Sequence, residues 1–231
     1  MYRKLYIYLS FLLLSVPASA NQIDFTGGTA VMSNGNSLTT SSSQLYNDVD
    51  YYVENGFKLD FIGDSGSVGT YYSTISPTNQ TVNDVIHGHW ENGGYGRLSK
   101  ILVTKTDGDS FDLNYFLLTS NTQNGGGDAT GNERVYIHAS TNGVDESYSQ
   151  LLPSENWGFP ATQILLGSEF DSIKSFWFTA ENNIACFGMD NFYINEPPPA
   201  VPEPETYGMM LVGLSLIGFV TRRQTSRVSS T

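Results

Sequence analysis

Two apolar runs bound the part of this chain that can fold as a water-soluble body. The first spans residues 7–16, behind the cationic Arg3 and Lys4. The second spans residues 206–220 and is followed by Arg222, Arg223 and Arg227. An ordinary spanning helix needs about 20 apolar residues, so the first run is too short to be one. A positive start, a short apolar stretch and the small-residue end Pro17-Ala18-Ser19-Ala20 read as a secretory signal peptide over residues 1–20. Cleavage is expected between Ala20 and Asn21. The second run is expected to be a transmembrane helix over residues 206–221, with residues 222–231 as a basic cytoplasmic tail. Arg222 and Arg223 form the membrane stop and stay on the cytoplasmic side. Gly208, Gly213 and Gly218 dilute this run. At 1.5 Å per residue against a core of about 30 Å, it is short for a permanent anchor. Both ends therefore put residues 21–195 outside the cytoplasmic membrane.

That middle part is large enough for one domain with its own core. Residues 21–196 hold six Lys and Arg against 21 Asp and Glu, a net charge of −15, against −12 for the whole chain. Phosphate recognition needs clustered cations, so nucleic acid is excluded as a partner. Such acidity suits a solvated secreted protein or one that holds cations. Cys186 is the only cysteine, so no intrachain disulfide can form. It lies in the apolar stretch Ile184-Ala185-Cys186-Phe187 and reads as a buried, inert thiol.

The patterning is all-β. Residues 58–63, 101–106, 111–119, 134–140, 173–179 and 189–194 are short runs rich in Phe, Tyr, Ile and Val, bounded by turn residues. Arg134-Val135-Tyr136-Ile137-His138 alternates as a half-buried strand does. Asp107-Gly108 is expected to close a hairpin. The Ser/Thr/Asn-rich residues 33–43 and the glycine-containing residues 121–132 are expected to be loops. Strands at this spacing point to a sandwich or jelly roll.

Directly before the second apolar run stands Val201-Pro202-Glu203-Pro204, preceded by Pro197-Pro198-Pro199. Two prolines in three residues prevent helix and sheet pairing, so the Pro-rich linker over residues 196–205 should be extended and accessible. Motif, membrane run and basic stop, in that order, resemble the PEP-CTERM sorting signal of Gram-negative bacteria. The resemblance implies recognition of Pro202, Glu203 and Pro204 by an exosortase-type membrane protease, which removes the span. It implies a protein destined for the cell surface or an exopolysaccharide matrix. A second resemblance rests on four segments. These are Tyr52-Val53-Glu54-Asn55-Gly56-Phe57, His87-Gly88-His89-Trp90, Asp109-Ser110-Phe111-Asp112-Leu113 and Gly188-Met189-Asp190-Asn191-Phe192-Tyr193-Ile194. Their order resembles the jelly-roll domains of PEP-CTERM proteins, which are similar to non-catalytic carbohydrate-binding modules. It implies a jelly-roll-like antiparallel β-sandwich with no enzymatic activity. It also implies a structural calcium joining first and last strands, at Asp24 and Asp190 with Glu54 as third ligand.

Other chemistry is weighed on the residues alone. Gly63-Asp64-Ser65-Gly66 resembles the nucleophile loop of chymotrypsin-like proteases, but every histidine follows Ser65, so a sharp turn is expected. His87 and His89 share a strand face and could begin a zinc site, needing His138 or a carboxylate as third ligand. Asp107, Asp109 and Asp112 lack the spacing of a calcium-binding EF-hand loop. Trp157 and Tyr95 are the candidates for stacking on sugar rings, while Trp177, in Phe176-Trp177-Phe178, is expected in the core. The leading expectation is an exported, non-enzymatic β-sandwich associated with extracellular polysaccharide or biofilm. The rivals are a polysaccharide-acting hydrolase and a purely structural coat protein.

Overall fold

A computed structural model describes residues 21–72, 81–91, 96–123, 128–157, 161–181 and 184–196. The signal peptide through Ala20, Tyr95, the sorting motif Val201–Pro204, the expected helix over 206–221, and Arg222 and Arg223 lie outside these residues. Among the described residues no helix is long and apolar enough to cross a membrane.

Fourteen strands form the fold. In chain order they are β1 (Asn21–Ile23), β2 (Thr29–Met32), β3 (Ser37–Thr39), β4 (Leu45–Glu54), β5 (Phe57–Ile62), β6 (Gly66–Tyr72) and β7 (Thr81–Gly88). There follow β8 (Lys100–Lys105), β9 (Leu113–Thr122), β10 (Arg134–Ser140), β11 (Tyr148–Leu151), β12 (Thr162–Leu165), β13 (Ser175–Glu181) and β14 (Cys186–Ile194). Ser168–Phe170, between β12 and β13, forms a single 3-10 turn. The sheet runs β11-β10-β13-β8-β5-β4-β6-β7-β14-β9-β12, with β1 added to β14 and the β2–β3 pair added to β4.

β4 turns this one sheet into two layers. Its C-terminal half pairs with β5, from Tyr51↔Asp60 to Glu54↔Phe57. Its N-terminal half pairs with β6, with an irregularity between Tyr46 and Val49. Asp48, inside that irregularity, has φ 59. A β-bulge of this kind bends a strand and increases its twist. The two halves of the sheet therefore fold over and face each other.

The aromatic core records that facing. Phe176 and Phe178 of β13 meet Phe192 of β14 at 5.3 and 6.1 Å between ring centroids. Phe178 also meets Phe187 of β14 at 5.4 Å and Phe116 of β9 at 5.5 Å. β13 is not hydrogen-bonded to β14 or β9, so these are contacts between layers. All five rings are fully buried. They supply the stabilisation that a chain without disulfides needs, at roughly 25 cal/mol per Å² of apolar area removed from water.

Several expectations are corrected. Asp107-Gly108 does not close a hairpin: β8 pairs with β5 and β13, while β9 pairs with β12 and β14. The turn carries the chain from one layer to the other, where Asp109 N–H donates to Asp107 Oδ1 at 2.9 Å. The polar stretch 33–43 contains β3, which pairs with β2 around a tight turn at Asn34-Gly35. Its exposed residues left no apolar alternation to read. The loop expected from 121 begins after Thr122, the end of β9.

Candidate functional site

Where β4 bends, the turns beside it leave an open cavity of about 330 Å³. Asn47 and Asp48 of β4 line one side. Asp64 and Ser65, in the turn between β5 and β6, and Ser67 of β6 line another, and His87 of β7 and the following His89 complete it. The Gly63-Asp64-Ser65-Gly66 segment is a sharp turn held by the Asp64 side chain. Asp64 Oδ1 accepts from Ser65 N–H at 3.0 Å, and Oδ2 accepts from Arg97 N–H at 2.8 Å. A Cβ on Gly66 would clash with the Phe61 ring, so glycine is what lets the turn sit down on the core.

The cavity is polar and acidic. The Arg97 N–H first, then the Ser65 N–H and the Arg97 charge, hold the Asp64 carboxyl below the usual range against a counter-effect of burial. Burial pushes His87 down to about 4. His89 is lowered too, by burial and then by His87. Both imidazoles are therefore held less ready to take up a proton. Ser67 Oγ donates to Asn47 Oδ1 at 2.8 Å across the rim.

His87 and His89 do touch, their rings 4.7 Å apart and edge to face. His87 Nε2 lies 2.9 Å from Cys186 Sγ, and Ser120 Oγ donates to the same sulfur at 3.2 Å. Cys186 is buried, as its apolar surroundings suggested, and the imidazole stands between it and the cavity. Of the two options for a third zinc ligand, His138 stands apart on β10, where Nδ1 lies 2.9 Å from Glu146 Oε2 and Nε2 is 2.7 Å from Thr179 Oγ1, and among the described residues no carboxylate completes a group of three.

At the corner where β1 leaves β14, Glu54 gathers donors. It accepts from Asp24 N–H at 3.2 Å, Phe25 N–H at 2.9 Å and Tyr52 Oη at 2.9 Å. Phe25 is fully buried with φ 63, so Glu54 secures a left-handed turn that a bulky residue seldom adopts. Burial lifts Glu54 to about 7, against the lowering effect of its donors and with Asp24 adding repulsion. Asp190, on β14, is buried and opposite Val85. Among the described residues no group of three His, Cys, Asp or Glu is set to hold a metal, Asp24, Glu54 and Asp190 included.

Of the aromatic residues, Trp157 keeps its place in a connecting segment, and Trp177 departs from expectation. Trp157 is half-buried in the segment between β11 and β12. Trp177 is not core: Phe176 and Phe178 point inward, so by strand alternation Trp177 points outward and is half-buried. His138, from the strand on one side, stacks on it at 5.2 Å and 8°. Lys100, from the strand on the other side, sits 4.8 Å from its ring centre. Trp177 is thus engaged by two of the protein's own side chains. The cavity residues were missed in combination because they come from four separate segments.

The crystal structure of the K1 cleaved adhesin domain of Lys-gingipain from Porphyromonas gingivalis W83 is similar, with 12% identity over 77% of this chain and 96% of that one, at a TM-score of 0.38. The isomalto-dextranase of Arthrobacter globiformis T6, complexed with panose, is similar at 12% identity over 77% of this chain and 32% of that one, with a TM-score of 0.28. Neither likeness is close enough to carry a functional argument. No curated protein matches the chain in sequence. Residues 200–224, in contrast, match the PEP-CTERM protein-sorting motif. This chain carries a PEP-CTERM sorting signal, which marks it as an exported protein of the cell envelope or surface that is processed at its C-terminus.

Proposed function

We propose that this is a non-enzymatic matrix protein of a Gram-negative envelope, with a jelly-roll-like domain that binds a polysaccharide in the cavity beside β4. The motif match over residues 200–224 carries the sorting half of this reading. In it, an exosortase-type protease recognises Pro202, Glu203 and Pro204 while residues 206–221 span the membrane and Arg222 and Arg223 stop transfer. Changing Glu203 to Ala leaves the unprocessed chain in the membrane fraction; normal processing of that variant, read by mass, would sink this half.

The cavity supports the binding half. Amide, hydroxyl, carboxylate and imidazole groups converge on a space of about 330 Å³, within the range of ligand pockets. Sugars need such a dense set of donors and acceptors. Asp48 and Asp64 disfavour uronates and sulfated sugars and suit neutral or amino sugars. The low value of Asp64 is the reverse of what a glycosidase general acid needs, which favours binding over hydrolysis.

Binding of the exported chain to the producing cell's exopolysaccharide tests this. His89→Ala and Ser67→Ala are each expected to weaken it about tenfold, roughly 1.4 kcal/mol. Unchanged binding in both variants would remove the cavity from the reading. Loss of polysaccharide mass through bond cleavage would instead favour the hydrolase.

A further inference from the structure

The cavity beside β4 is walled by few kinds of residue. Among the described residues these are Asn, Asp, Ser, His and Gly only. No Leu, Ile, Val or Met stands there to receive a methyl group, and no Trp, Tyr or Phe to stack on a sugar face. Such a site selects by hydrogen bonds and charge. A neutral hydroxyl gains little on leaving water, which offers it equivalent bonds. A hydrogen bond with an ionised partner is roughly twice as strong as a neutral one. Charge therefore decides which sugar these walls prefer.

That charge is negative, and one carboxylate is open. Asp48 sits in the β4 bulge at φ 59. Ser33 N–H and Ser33 Oγ both donate to its backbone carbonyl, at 2.8 and 3.0 Å. The backbone is thus fixed, while among the described residues nothing pairs with the Asp48 carboxylate. Asp64 is committed, each oxygen accepting a backbone N–H, and those bonds, the Arg97 N–H foremost, favour its charged form. The Arg97 charge acts on Asp64 as well, but among the described residues Arg97 is not part of the walls. His87 is held back from carrying positive charge by burial, and His89 by burial and then by His87, with Asp64 acting the other way. A cleft lined by one sign of charge concentrates the opposite sign within it.

We infer that the cavity takes an amino sugar whose nitrogen is free, as an ammonium group held by the Asp48 carboxylate. This rests on the polysaccharide-binding reading above and narrows it to one class of sugar. The ammonium is a donor only, matched to a carboxylate that accepts only, and Asp64 adds to the field around it. Asn47, Ser65, Ser67 and His89 remain for the ring hydroxyls. An N-acetyl group would remove the charge and bring a methyl to walls that hold no apolar partner. A uronate would set its own carboxylate against two others.

The test is calorimetric titration of the full chain, purified in mild detergent from a host that exports it. The buffer is mildly acidic, so that amines stay protonated. The probes are tetramers of glucosamine, N-acetylglucosamine and glucose, and putrescine as an amine without a ring. The glucosamine tetramer is expected to bind about tenfold more tightly than the other two tetramers. Asp48→Asn keeps a residue suited to the left-handed position. It is expected to remove that preference with an unchanged far-ultraviolet circular dichroism spectrum. Asp109→Asn takes the same charge from beyond the far end of β8, whose near end, Lys100, pairs with Ile62 beside the turn. It is expected to keep the preference. A preference that survives Asp48→Asn, or that Asp109→Asn also removes, overturns the inference, because the field of the whole domain then draws the amine. Putrescine binding as tightly as the glucosamine tetramer overturns it too. Equal binding of all three tetramers overturns it and leaves the polysaccharide reading standing. Binding of no tetramer, with exopolysaccharide still bound, does the same; loss of both takes that reading down as well.

Discussion

Two buried glutamates show how the same side chain is set to opposite ends of its range. Glu133 is fully buried before β10 and accepts from Thr130 N–H at 2.9 Å, Gly131 N–H at 2.8 Å, Gln123 N–H at 3.2 Å and Thr130 Oγ1 at 3.1 Å. Burial is the largest single effect and opposes ionisation, but the Ser154 hydroxyl and these donors together outweigh it and hold Glu133 at about 2. Its contribution to stability is whole above its ordinary value of 4.5 and is lost as pH falls towards 2. Glu54 runs the other way. The folded chain keeps its proton up to about pH 7, while the unfolded chain releases it near 4.5, so stability falls as pH rises across that window. Chemical denaturation of Glu54→Gln is expected to show a flatter pH dependence between 4.5 and 7. Glu133→Gln is expected to cost about 1–3 kcal/mol at pH 7 and to lose the acid transition. An unchanged pH slope in Glu54→Gln would mean that its donors, not burial, set its charge.

At the scale of elements, the turn between β5 and β6 does two jobs. It places Asp64 and Ser65 at the cavity rim and seats Gly66 against Phe61. Gly66→Ala forces the Phe61 ring to move within a packed core, expected to cost about 1–3 kcal/mol. Because Gly66 also lines the cavity, the melting temperature and polysaccharide affinity are expected to fall together. A variant that loses stability and binds normally would show that the turn and the cavity are separable. β10 illustrates an element that was fully legible: its burial alternates along Arg134–Ser140 as its sequence does. β3 and β11 were not legible, because exposed edge strands need no apolar face and leave no periodic trace.

Across the whole molecule, the excess of carboxylates works against the compact state. Residues 21–196 carry a net charge of −15, and folding brings those like charges closer together. Raising the salt concentration shortens the screening length from about 10 Å at 0.1 M to about 3 Å at 1 M. The melting temperature is therefore expected to rise with salt at pH 7, measured by calorimetry at several ionic strengths. A melting temperature that falls with salt would show that ion pairs such as Lys58–Asp60 outweigh the repulsion.

The amino-acid sequence alone determined what is local or linear. The PEP-CTERM motif is read as a contiguous string, so residues 200–224 were recognisable without a fold. The all-β class followed from short runs of β-branched and aromatic residues, and the buried state of Cys186 from its apolar neighbours. The tertiary structure decided everything that depends on which strands become neighbours. Asp48, Asp64 and His89 line one cavity because β4 bends and brings β6 and β7 beside it. Trp177 faces outward because the phenylalanines on either side of it took the core. Glu54 serves a backbone turn 29 residues away. These are contacts of high sequence separation, and no window along the chain contains both partners.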